Sequence, residues 1–293
     1  MAKFFVMIGL PGSGKSKTAQ RLHCDNAALY LSSDALRKEF YGDENVQGDP
    51  VKIFEEMRKQ AVAALKAGIN VVYDATNISR KKRRHLLHSL GVPCEKIAYV
   101  VWARYETCVM RDKDRLRTVG EGVIKRMLKR FQPPYYDEGW DEIRFELNDE
   151  PYTAYDYINW VDCEHDNPHH NNTVKEHSLK VAAEVNKLGD DCDIVLLFAA
   201  LLHDIGKKFV KDFKDSRGNP SEIAHFYNHQ NVGSYFAIGH DGTFCLPVSD
   251  RARLYWLINV HMDLFLHTKY SAALPEKLAT LLNDFHKCDV AGA

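Results

Sequence analysis

The sequence lacks the features that mark membrane-spanning, secreted and repetitive proteins. No apolar run is long enough to cross a bilayer, and the first residues already read as a core strand instead of a secretory signal. The seven cysteines include no C-x-x-C pair, which is typical of reduced thiols in the cytoplasm. A formal net charge of −1 argues against a broad basic surface, although a local groove for a short single strand stays open. We therefore expect a cytoplasmic protein without membrane contact, and 293 residues are enough for two domains.

The first chemical motif is the glycine-rich stretch GLPGSGKS at residues 9–16. It follows an apolar strand pattern at 4–8 and precedes a helical pattern, which is the context that a phosphate-binding loop requires. In such a loop the backbone N–H groups surround phosphate oxygens, the lysine reaches the β- and γ-phosphates, and the serine ligates Mg²⁺. The predicted ATP site consists of Gly12, Ser13, Gly14, Lys15 and Ser16, with Mg²⁺ on Ser16.

Two further apolar runs each end at an acidic residue. The run at 28–31 leads to Asp34, and the run at 69–73 leads to Asp74. Because ligands of open parallel sheets bind at the carboxyl ends of the strands, Asp34 can take a proton from an acceptor hydroxyl during transfer of the γ-phosphate. The alternative for Asp34 is an N-cap of the next helix. Asp74 can hold the water shell of the metal, or it can simply form a turn.

Two basic stretches follow. The run at 80–84 is either a solvated helix face or a contact for nucleic-acid phosphates. Arg111, Arg115 and Arg117 lead into the basic helical pattern at 123–131. These clusters are what a lid over the triphosphate needs, because a guanidinium stabilises the charge that spreads over the γ-phosphate oxygens during transfer.

The motifs GLPGSGKS, SSDALR, DATN and VIKRMLKRF together resemble the polynucleotide 5′-hydroxyl kinases of bacteriophage and bacterial nucleic-acid repair, over residues 1–145. This resemblance implies that Asp34 is the general base and that Arg37 grips the 3′-phosphate of the acceptor. It also implies a lid arginine at the γ-phosphate. Lys125 and Arg126 both fit that position, and we choose Arg126 because the transfer favours a guanidinium. Small-metabolite kinases share the arrangement of strand and aspartate.

Turn-forming residues interrupt the periodicity between 148 and 173, and this change predicts a boundary near residue 150. We expect an α/β kinase domain at 1–150, with a parallel sheet flanked by helices. An all-α domain is expected at 151–293, without a convincing strand. Its predicted helices cover 174–188, 194–203, 225–238, 249–260 and 275–290.

Histidines and aspartates recur at the faces and ends of these helices. The pair His203–Asp204 closes the apolar helix, and burying it there is costly unless the two side chains are coordinated or paired. Imidazoles and carboxylates on neighbouring helices suit Mn²⁺, Fe²⁺, Co²⁺ or Ni²⁺. The predicted metal ligands are His177, His203, Asp204, His229, His261 and Asp289.

This pattern resembles the HD phosphohydrolases, which are named for their His-Asp pair, and the resemblance covers most of residues 155–293. His229 and His261 stand where the two-metal members of that family carry extra ligands. Two metal ions can clamp a phosphate and generate hydroxide near neutral pH, with Asp204 as a bridge between them. Lys207 can neutralise phosphate charge. His169 and His170 either contact the leaving group or phosphate, or belong to a polar turn.

Five other histidines of the second half are interpreted as structural or surface residues, namely His165, His225, His240, His267 and His286.

The two halves together predict a bifunctional enzyme that heals nucleic-acid ends. One half adds phosphate to a 5′-hydroxyl, and the other removes a 2′,3′-cyclic or terminal phosphate. The expected partners are ATP, nucleic-acid ends (RNA favoured over DNA) and a ligase that acts downstream. The alternatives are a nucleoside or mononucleotide kinase fused to an HD nucleotidase, and a sensor that binds ATP without transferring phosphate.

Overall fold

The computed structural model describes residues 1–43, 46, 48–115, 118–167, 172–189, 192–240 and 246–293. The chain divides into two compact units. The first comprises Met1–Met127 with Pro134–Glu150, and the second comprises Leu128–Pro133 with Pro151–Ala293. Every helix in the described part of the chain is too short or too polar to cross a membrane.

The first unit is built on a five-stranded parallel sheet in the order β2-β3-β1-β4-β5. Its strands are β1 (Lys3–Ile8), β2 (Leu29–Ser32), β3 (Val71–Asp74), β4 (Glu95–Trp102) and β5 (Glu142–Leu147). The central strands are apolar along their length because helices cover both faces of a parallel sheet. The parallel sheet is therefore confirmed. The sequence did not reveal β5, since this strand is mostly half-exposed and carries charged residues at alternate positions.

The helices of this unit connect successive strands. They are α1 (Lys15–Asp25), α2 (Ser33–Tyr41), α3 (Pro50–Lys66), α4 (Arg80–Ser89), α5 (Tyr105–Lys113) and α6 (Glu121–Leu128). In α3 the buried stripe contains Ile53, Met57, Ala61 and Leu65, as the spacing predicts. Asp49 caps this helix through its side chain, and Pro50 occupies the first turn, where its missing N–H costs nothing.

The basic run at 80–84 is divided by the fold. Lys81, Lys82 and Arg84 are exposed, as expected for a solvated face. Arg80 and Arg83 are buried instead. They face Glu138, so neither of the two roles considered for this run applies to them.

The second unit is helical. Its helices are α7 (Ala154–Val161), α8 (Val174–Asn186), α9 (Ile194–Leu202), α10 (Lys207–Val210), α11 (His229–Ile238), α12 (Val248–Val260) and α13 (Glu276–Ala291). The start of α8 is fixed by a capping box between Thr173 and Glu176, and Asp193 caps α9. These local signals agree with the helices predicted from the sequence.

One β-hairpin interrupts this helical unit. It pairs β6 (Asp212–Lys214) with β7 (Pro220–His225) in antiparallel fashion. The expectation of a strand-free second half is therefore wrong at this place, and the helix predicted from residue 225 begins only at His229. The strands are short, and the turn between them is organised locally. The Asp215 carboxylate accepts hydrogen bonds from the backbone N–H groups of Arg217 and Asn219.

Candidate active sites

The glycine-rich loop connects β1 to α1, as the sequence predicts. Gly14 has φ 94°, and a Cβ atom at this position would lie 1.8 Å from the side-chain amide nitrogen of Asn148. That amide donates a hydrogen bond to the Ser13 carbonyl oxygen at 2.9 Å. Gly14 is therefore required both for its backbone conformation and for the close approach of Asn148, which follows β5.

Lys15 lies buried beneath the loop and donates a hydrogen bond to the Leu10 carbonyl oxygen at 2.6 Å. Burial lowers the pKa of this ammonium, while the charge on Asp74 opposes the shift. A cation that is deprived of water in this way gains from a nearby phosphate anion. The position suits the predicted role in binding the triphosphate.

A cavity of about 230 Å³ opens at the loop. Its lining residues are Gly12, Gly14, Lys15, Ser16, Lys17, Arg111 and Arg115. Arg111 is tied to the loop region, since it donates hydrogen bonds to the backbone oxygens of Asn148 and Gly12 at 3.0 and 3.5 Å. The cavity thus combines a phosphate-binding loop with two guanidinium groups.

The predicted lid arginine, Arg126, is exposed and is not among the residues that line this cavity. Its role stays a prediction. The arginines that the structure brings to the loop are Arg111 and Arg115, which the sequence assigned to a basic cluster of the predicted lid. Arg117 lies outside the described residues.

The predicted acceptor residues lie near the point where β2 and β3 end together, since Ser32 and Asp74 are register partners. Ser32 is the N-cap of α2, and its side-chain oxygen accepts from the backbone N–H groups of Asp34 and Ala35. The alternative that Asp34 is the N-cap is therefore wrong. Arg37 donates a hydrogen bond to the Asp34 carboxylate at 2.8 Å, so the predicted base and the predicted phosphate grip form a pair.

Asp74 is buried at the end of β3 and accepts a hydrogen bond from the Tyr30 hydroxyl at 2.8 Å. Burial and the charge on Asp74 raise the pKa of Tyr30, which keeps this phenol protonated as a donor. The carboxylate is thus held in place beside the loop. The turn after β3 is stabilised separately, because the Asn77 side chain donates to the Met7 carbonyl oxygen at 2.8 Å.

Five helical segments of the second unit bring the predicted metal ligands together. His177 lies in α8, and His203 with Asp204 follows α9. His229 begins α11, and His261 follows α12, while Asp289 lies in α13. All six side chains are buried. The ligand set is therefore one cluster in space, although its members come from widely separated parts of the chain.

One half of this cluster surrounds the Oδ2 atom of Asp204. His203 Nε2 and His177 Nε2 lie 3.2 and 3.6 Å from this oxygen. The same two nitrogens lie 3.6 and 3.1 Å from Asp289 Oδ1, and 3.2 Å from one another. These residues form the first candidate metal position.

The other half surrounds the Oδ1 atom of Asp204. His229 Nε2 and His261 Nε2 lie 3.2 and 4.0 Å from it. The two nitrogens are 3.1 Å apart. Since Asp204 offers one oxygen to each half, it stands where a carboxylate that bridges two ions would stand. His/Asp groups that fit one metal ion each are His177–His203–Asp204 and Asp204–His229–His261.

The Nδ1 atoms of the four histidine ligands point away from the cluster, and their hydrogen bonds indicate the tautomer of each imidazole. Each Nδ1 atom lies near a backbone carbonyl oxygen, and a carbonyl can only accept. The pairs are His177–Gly292 at 3.3 Å, His203–Ala200 at 3.0 Å, His229–Phe226 at 2.9 Å and His261–Ile258 at 2.7 Å. In the neutral rings the protons therefore sit on Nδ1, and four Nε2 lone pairs converge. A cation would satisfy this arrangement, and the carbonyls would orient the imidazoles that bind it.

The carboxylates of the cluster are held ionised. Burial alone would raise the pKa of Asp204, but His203 and Lys207 outweigh it and keep the pKa well below its usual value. Burial would also raise the pKa of Asp289, but His203 and His177 outweigh it and lower this pKa to about 2. Asp204 Oδ2 is buried and receives no well-directed hydrogen bond, so it retains lone pairs for a metal ion.

The imidazoles of the cluster differ in their electrostatic surroundings. Burial and the nearby His229 and His203 lower the pKa of His261 to about 3. For His203 burial also acts to lower the pKa, but Asp204 and Asp289 raise it above its usual value. The donor spacings of 3.1–3.6 Å fit ligands that share an ion at about 2.1 Å from each, which places adjacent donors about 3 Å apart. The residues present therefore fit divalent transition metals.

Lys207 lies at the edge of the cluster, with its Nζ atom 2.6 Å from Asp204 Oδ2. His165 lies behind it, and its Nε2 atom is 3.0 Å from the same ammonium. The sequence offered no signal for His165, because it stands in a segment without periodicity. His169 and His170 lie outside the described residues, so their predicted roles rest on the sequence alone.

Two family models match separate parts of the chain. Residues 4–134 match the family model of an AAA domain, and residues 174–282 match the family model of the HD domain. The chain thus combines a P-loop kinase domain with an HD domain. A P-loop kinase domain implies ATP and Mg²⁺, and an HD domain implies divalent metal ions. A comparison with curated protein sequences gives no match.

Several solved structures are similar to the kinase half. A chain of the Pnkp1/Rnl/Hen1 RNA repair complex is 25% identical with a TM-score of 0.40, and the match covers 44% of this chain and 43% of that one. The match thus spans less than half the length of that relative. A fungal RNA kinase is 18% identical (TM-score 0.36, 49% and 74% covered). A gluconokinase from Sinorhizobium meliloti 1021 is 16% identical (TM-score 0.37, 50% and 82% covered).

Proposed function

We propose that this chain is a bifunctional enzyme that heals nucleic-acid ends, with a polynucleotide 5′-hydroxyl kinase at 1–150 and a metal-dependent phosphohydrolase at 151–293. The kinase transfers the γ-phosphate of ATP to a 5′-hydroxyl. The phosphohydrolase removes a 2′,3′-cyclic or terminal phosphate. RNA ends are the favoured substrate, and a ligase that seals the healed ends is the expected downstream partner.

The single observation that carries the kinase proposal is the pairing of Asp34 with Arg37 at the carboxyl edge of the sheet. A protein that only senses ATP needs no base on the acceptor side. Here Asp34 takes the proton of the attacking hydroxyl, and Arg37 holds a phosphate of the acceptor strand while it orients the carboxylate. Lys15, Arg111 and Arg115 balance the charge that develops on the γ-phosphate.

The phosphohydrolase proposal is supported by the converging Nε2 atoms and the shared Asp204. The six predicted ligands would hold divalent ions, which would supply Lewis acidity and lower the pKa of a bound water. The chain itself contributes the remaining functions. Asp204 and Asp289 fix the ligand geometry, the backbone carbonyls orient the imidazoles, and Lys207 presents a positive charge beside Asp204 for a phosphate oxygen.

The experiment that tests the kinase proposal uses γ-labelled ATP with a 5′-hydroxyl RNA oligonucleotide or with a nucleoside. Label on the oligonucleotide supports end healing. Label on the nucleoside alone supports the alternative of nucleotide metabolism, and no transfer supports a sensor. Asp34→Asn is expected to lower kinase turnover by about 10²- to 10⁴-fold, as expected for a lost general base, with ATP binding retained. The exposed Asp25→Asn serves as the matched control.

The phosphohydrolase proposal is tested with an oligonucleotide that ends in a 2′,3′-cyclic phosphate, in the presence of Mn²⁺. Asp204→Ala removes the shared ligand and is expected to abolish both metal retention and hydrolysis while kinase activity stays unchanged. The half-buried Asp284→Ala, in the same helix as Asp289, is the control. Wild-type metal content in Asp204→Ala would count against the ligand set.

A further inference from the structure

His165 receives a hydrogen bond from Lys207 at the edge of the metal cluster. The Lys207 Nζ atom is 3.0 Å from His165 Nε2, and both side chains are buried. On the far side of the ring, Nδ1 is 2.5 Å from the backbone oxygen of Asn172. Because a carbonyl oxygen only accepts, the ring proton sits on Nδ1, and Nε2 presents its lone pair to the ammonium. His165 is therefore a neutral acceptor whose orientation is fixed.

The Lys207 ammonium lies close to three side chains. Besides His165, it faces Asp204 Oδ2 at 2.6 Å and lies 5.6 Å from the centre of the Phe226 ring. The contact with Asp204 is an ion pair that is poorly directed for a hydrogen bond. Within the described part of the chain, His165 is thus the acceptor that sets the rotation of the ammonium about its Cε–Nζ bond. The hydrogen bond to His165 therefore also determines the directions of the other N–H groups of Lys207.

We propose that His165 is a positioning residue for the substrate phosphate. It holds the Lys207 ammonium so that one N–H is aimed at a phosphate oxygen bound beside Asp204. The ligand class is a phosphate monoester or diester anion. This inference rests on the proposed phosphohydrolase function and names a residue that acts through Lys207, to which it is hydrogen-bonded, while its ring packs edge-on against the ring of His177 with 6.0 Å between the centroids.

The geometry distinguishes this role from simple packing. A histidine that only fills space has no need to turn a lone pair toward a buried ammonium. The Asn172 carbonyl oxygen accepts the Nδ1 proton and so determines the tautomer of His165. In this tautomer Nε2 is the acceptor, and its hydrogen bond from Lys207 determines the orientation of the ammonium. Removal of the imidazole leaves Lys207 beside Asp204 and the Phe226 ring, and takes away the hydrogen-bond acceptor that sets the rotation of the ammonium.

The experiment compares the full chain loaded with Mn²⁺ in four forms: wild type, His165→Ala, His165→Gln and His240→Ala. Glutamine can place an amide oxygen near the position of Nε2. His240 is another buried histidine of the same unit, in contact with Tyr152 and Trp160, and it controls for the loss of a buried ring. Binding of inorganic phosphate is measured by calorimetry, metal content by mass spectrometry, and hydrolysis of bis(p-nitrophenyl) phosphate by kcat and KM.

His165→Ala is expected to weaken phosphate binding and raise KM by about 10-fold or more, the loss typical of a hydrogen bond to a charged group, with the metal content unchanged. His165→Gln is expected to recover most of the affinity, and His240→Ala to leave it unchanged. Wild-type phosphate affinity in His165→Ala, or equal losses in His165→Ala and His240→Ala, would overturn the inference while hydrolysis by the wild type still supports the proposed function. A wild-type protein that neither hydrolyses the ester nor binds phosphate would overturn both.

Discussion

Arg83 and Glu138 form a bidentate ion pair whose two side chains are completely buried. The guanidinium donates to the two carboxylate oxygens at 2.8 and 2.6 Å, and a third N–H reaches the Asn77 carbonyl oxygen at 2.9 Å. Trp140 adds a donor to the same carboxylate at 3.2 Å. Arg83, a residue of the basic run, thus connects α4 and the turn after β3 to the segment around Glu138.

The first prediction concerns the stability of the kinase unit. Arg83→Ala removes both short hydrogen bonds from its guanidinium to the buried Glu138 carboxylate, whose contact with Arg80 is longer, at 3.9 Å. Breaking such a pair costs about 3–5 kcal/mol of unfolding free energy. Arg144→Ala is the matched control, because its pair with Glu142 is 39% exposed and worth less than about 1 kcal/mol. Urea denaturation followed by circular dichroism measures both. Equal losses for the two variants would contradict the assignment of Arg83 as a structural residue.

The second prediction concerns the glycine-rich loop. Gly14→Ala is expected to weaken binding of ATP by at least about 10-fold, because the new Cβ collides with Asn148 and displaces the loop from its phosphate-binding shape. Gly68→Ala is the control. It has the same kind of backbone conformation, with φ 76°, but a Cβ there meets nothing within 4 Å. Calorimetric titration with ATP and Mg²⁺ separates the two, and an ATP affinity that falls equally in both variants would show that backbone strain alone is responsible.

The third prediction tests the packing behind the metal cluster. A Cβ at Gly206 would lie 2.2 Å from the His229 carbonyl oxygen and 2.6 Å from the Gly233 nitrogen, although the backbone conformation of Gly206 is ordinary. Gly206→Ala is therefore expected to push α11 away and to reduce the amount of Mn²⁺ that co-purifies. Gly122→Ala lies in α6, where a Cβ meets only Arg126 at 3.7 Å, and should bind metal as the wild type does. Mass spectrometry of the purified proteins measures the difference.

The fourth prediction concerns metal removal and pH. Chelation leaves the converging Nε2 lone pairs without a cation, so added Mn²⁺ should raise the melting temperature of the HD unit, with about 2.7 kcal/mol of stabilisation at one hundred times its Kd.

Metal binding requires unprotonated imidazoles. Because Asp204 and Asp289 raise the pKa of His203, a proton competes with the metal for this ligand first. The affinity for Mn²⁺ should therefore fall as the pH is lowered from about 8 to about 6, through the ordinary pKa range of histidine. An affinity that is constant over this range would contradict the imidazole ligands.

Most of the fold could be predicted because its signals are local. The apolar strands β1 to β4 and the stripe on α3 follow from periodicity, and the glycine-rich loop follows from its own residues. The strand β5 and the hairpin of the second unit were missed. These segments form strands only because each pairs with a neighbouring strand. Their charged, partly exposed residues resemble those of loops.

The candidate sites divide in the same way. The predicted roles of Lys15, Asp34 and the His203–Asp204 pair came from the sequence, since each belongs to a short motif. The sequence also assigned Arg111 and Arg115 to a basic cluster of the predicted lid, but only the folded loop shows that these two arginines line its cavity. His165 carried no signal either, since its partner Lys207 is 42 residues away.

The sequence by itself determined which residue types stand at which spacing, and hence a P-loop at the start of the chain and a set of ligand-type side chains toward its end. Only the tertiary structure decided that four imidazoles converge on Asp204, that Arg83 is buried against Glu138 and that His165 accepts a hydrogen bond from Lys207. The reason is physical. Short-range signals reflect backbone conformation and periodicity, whereas a buried charge finds its partner through the packing of elements that are far apart in the chain.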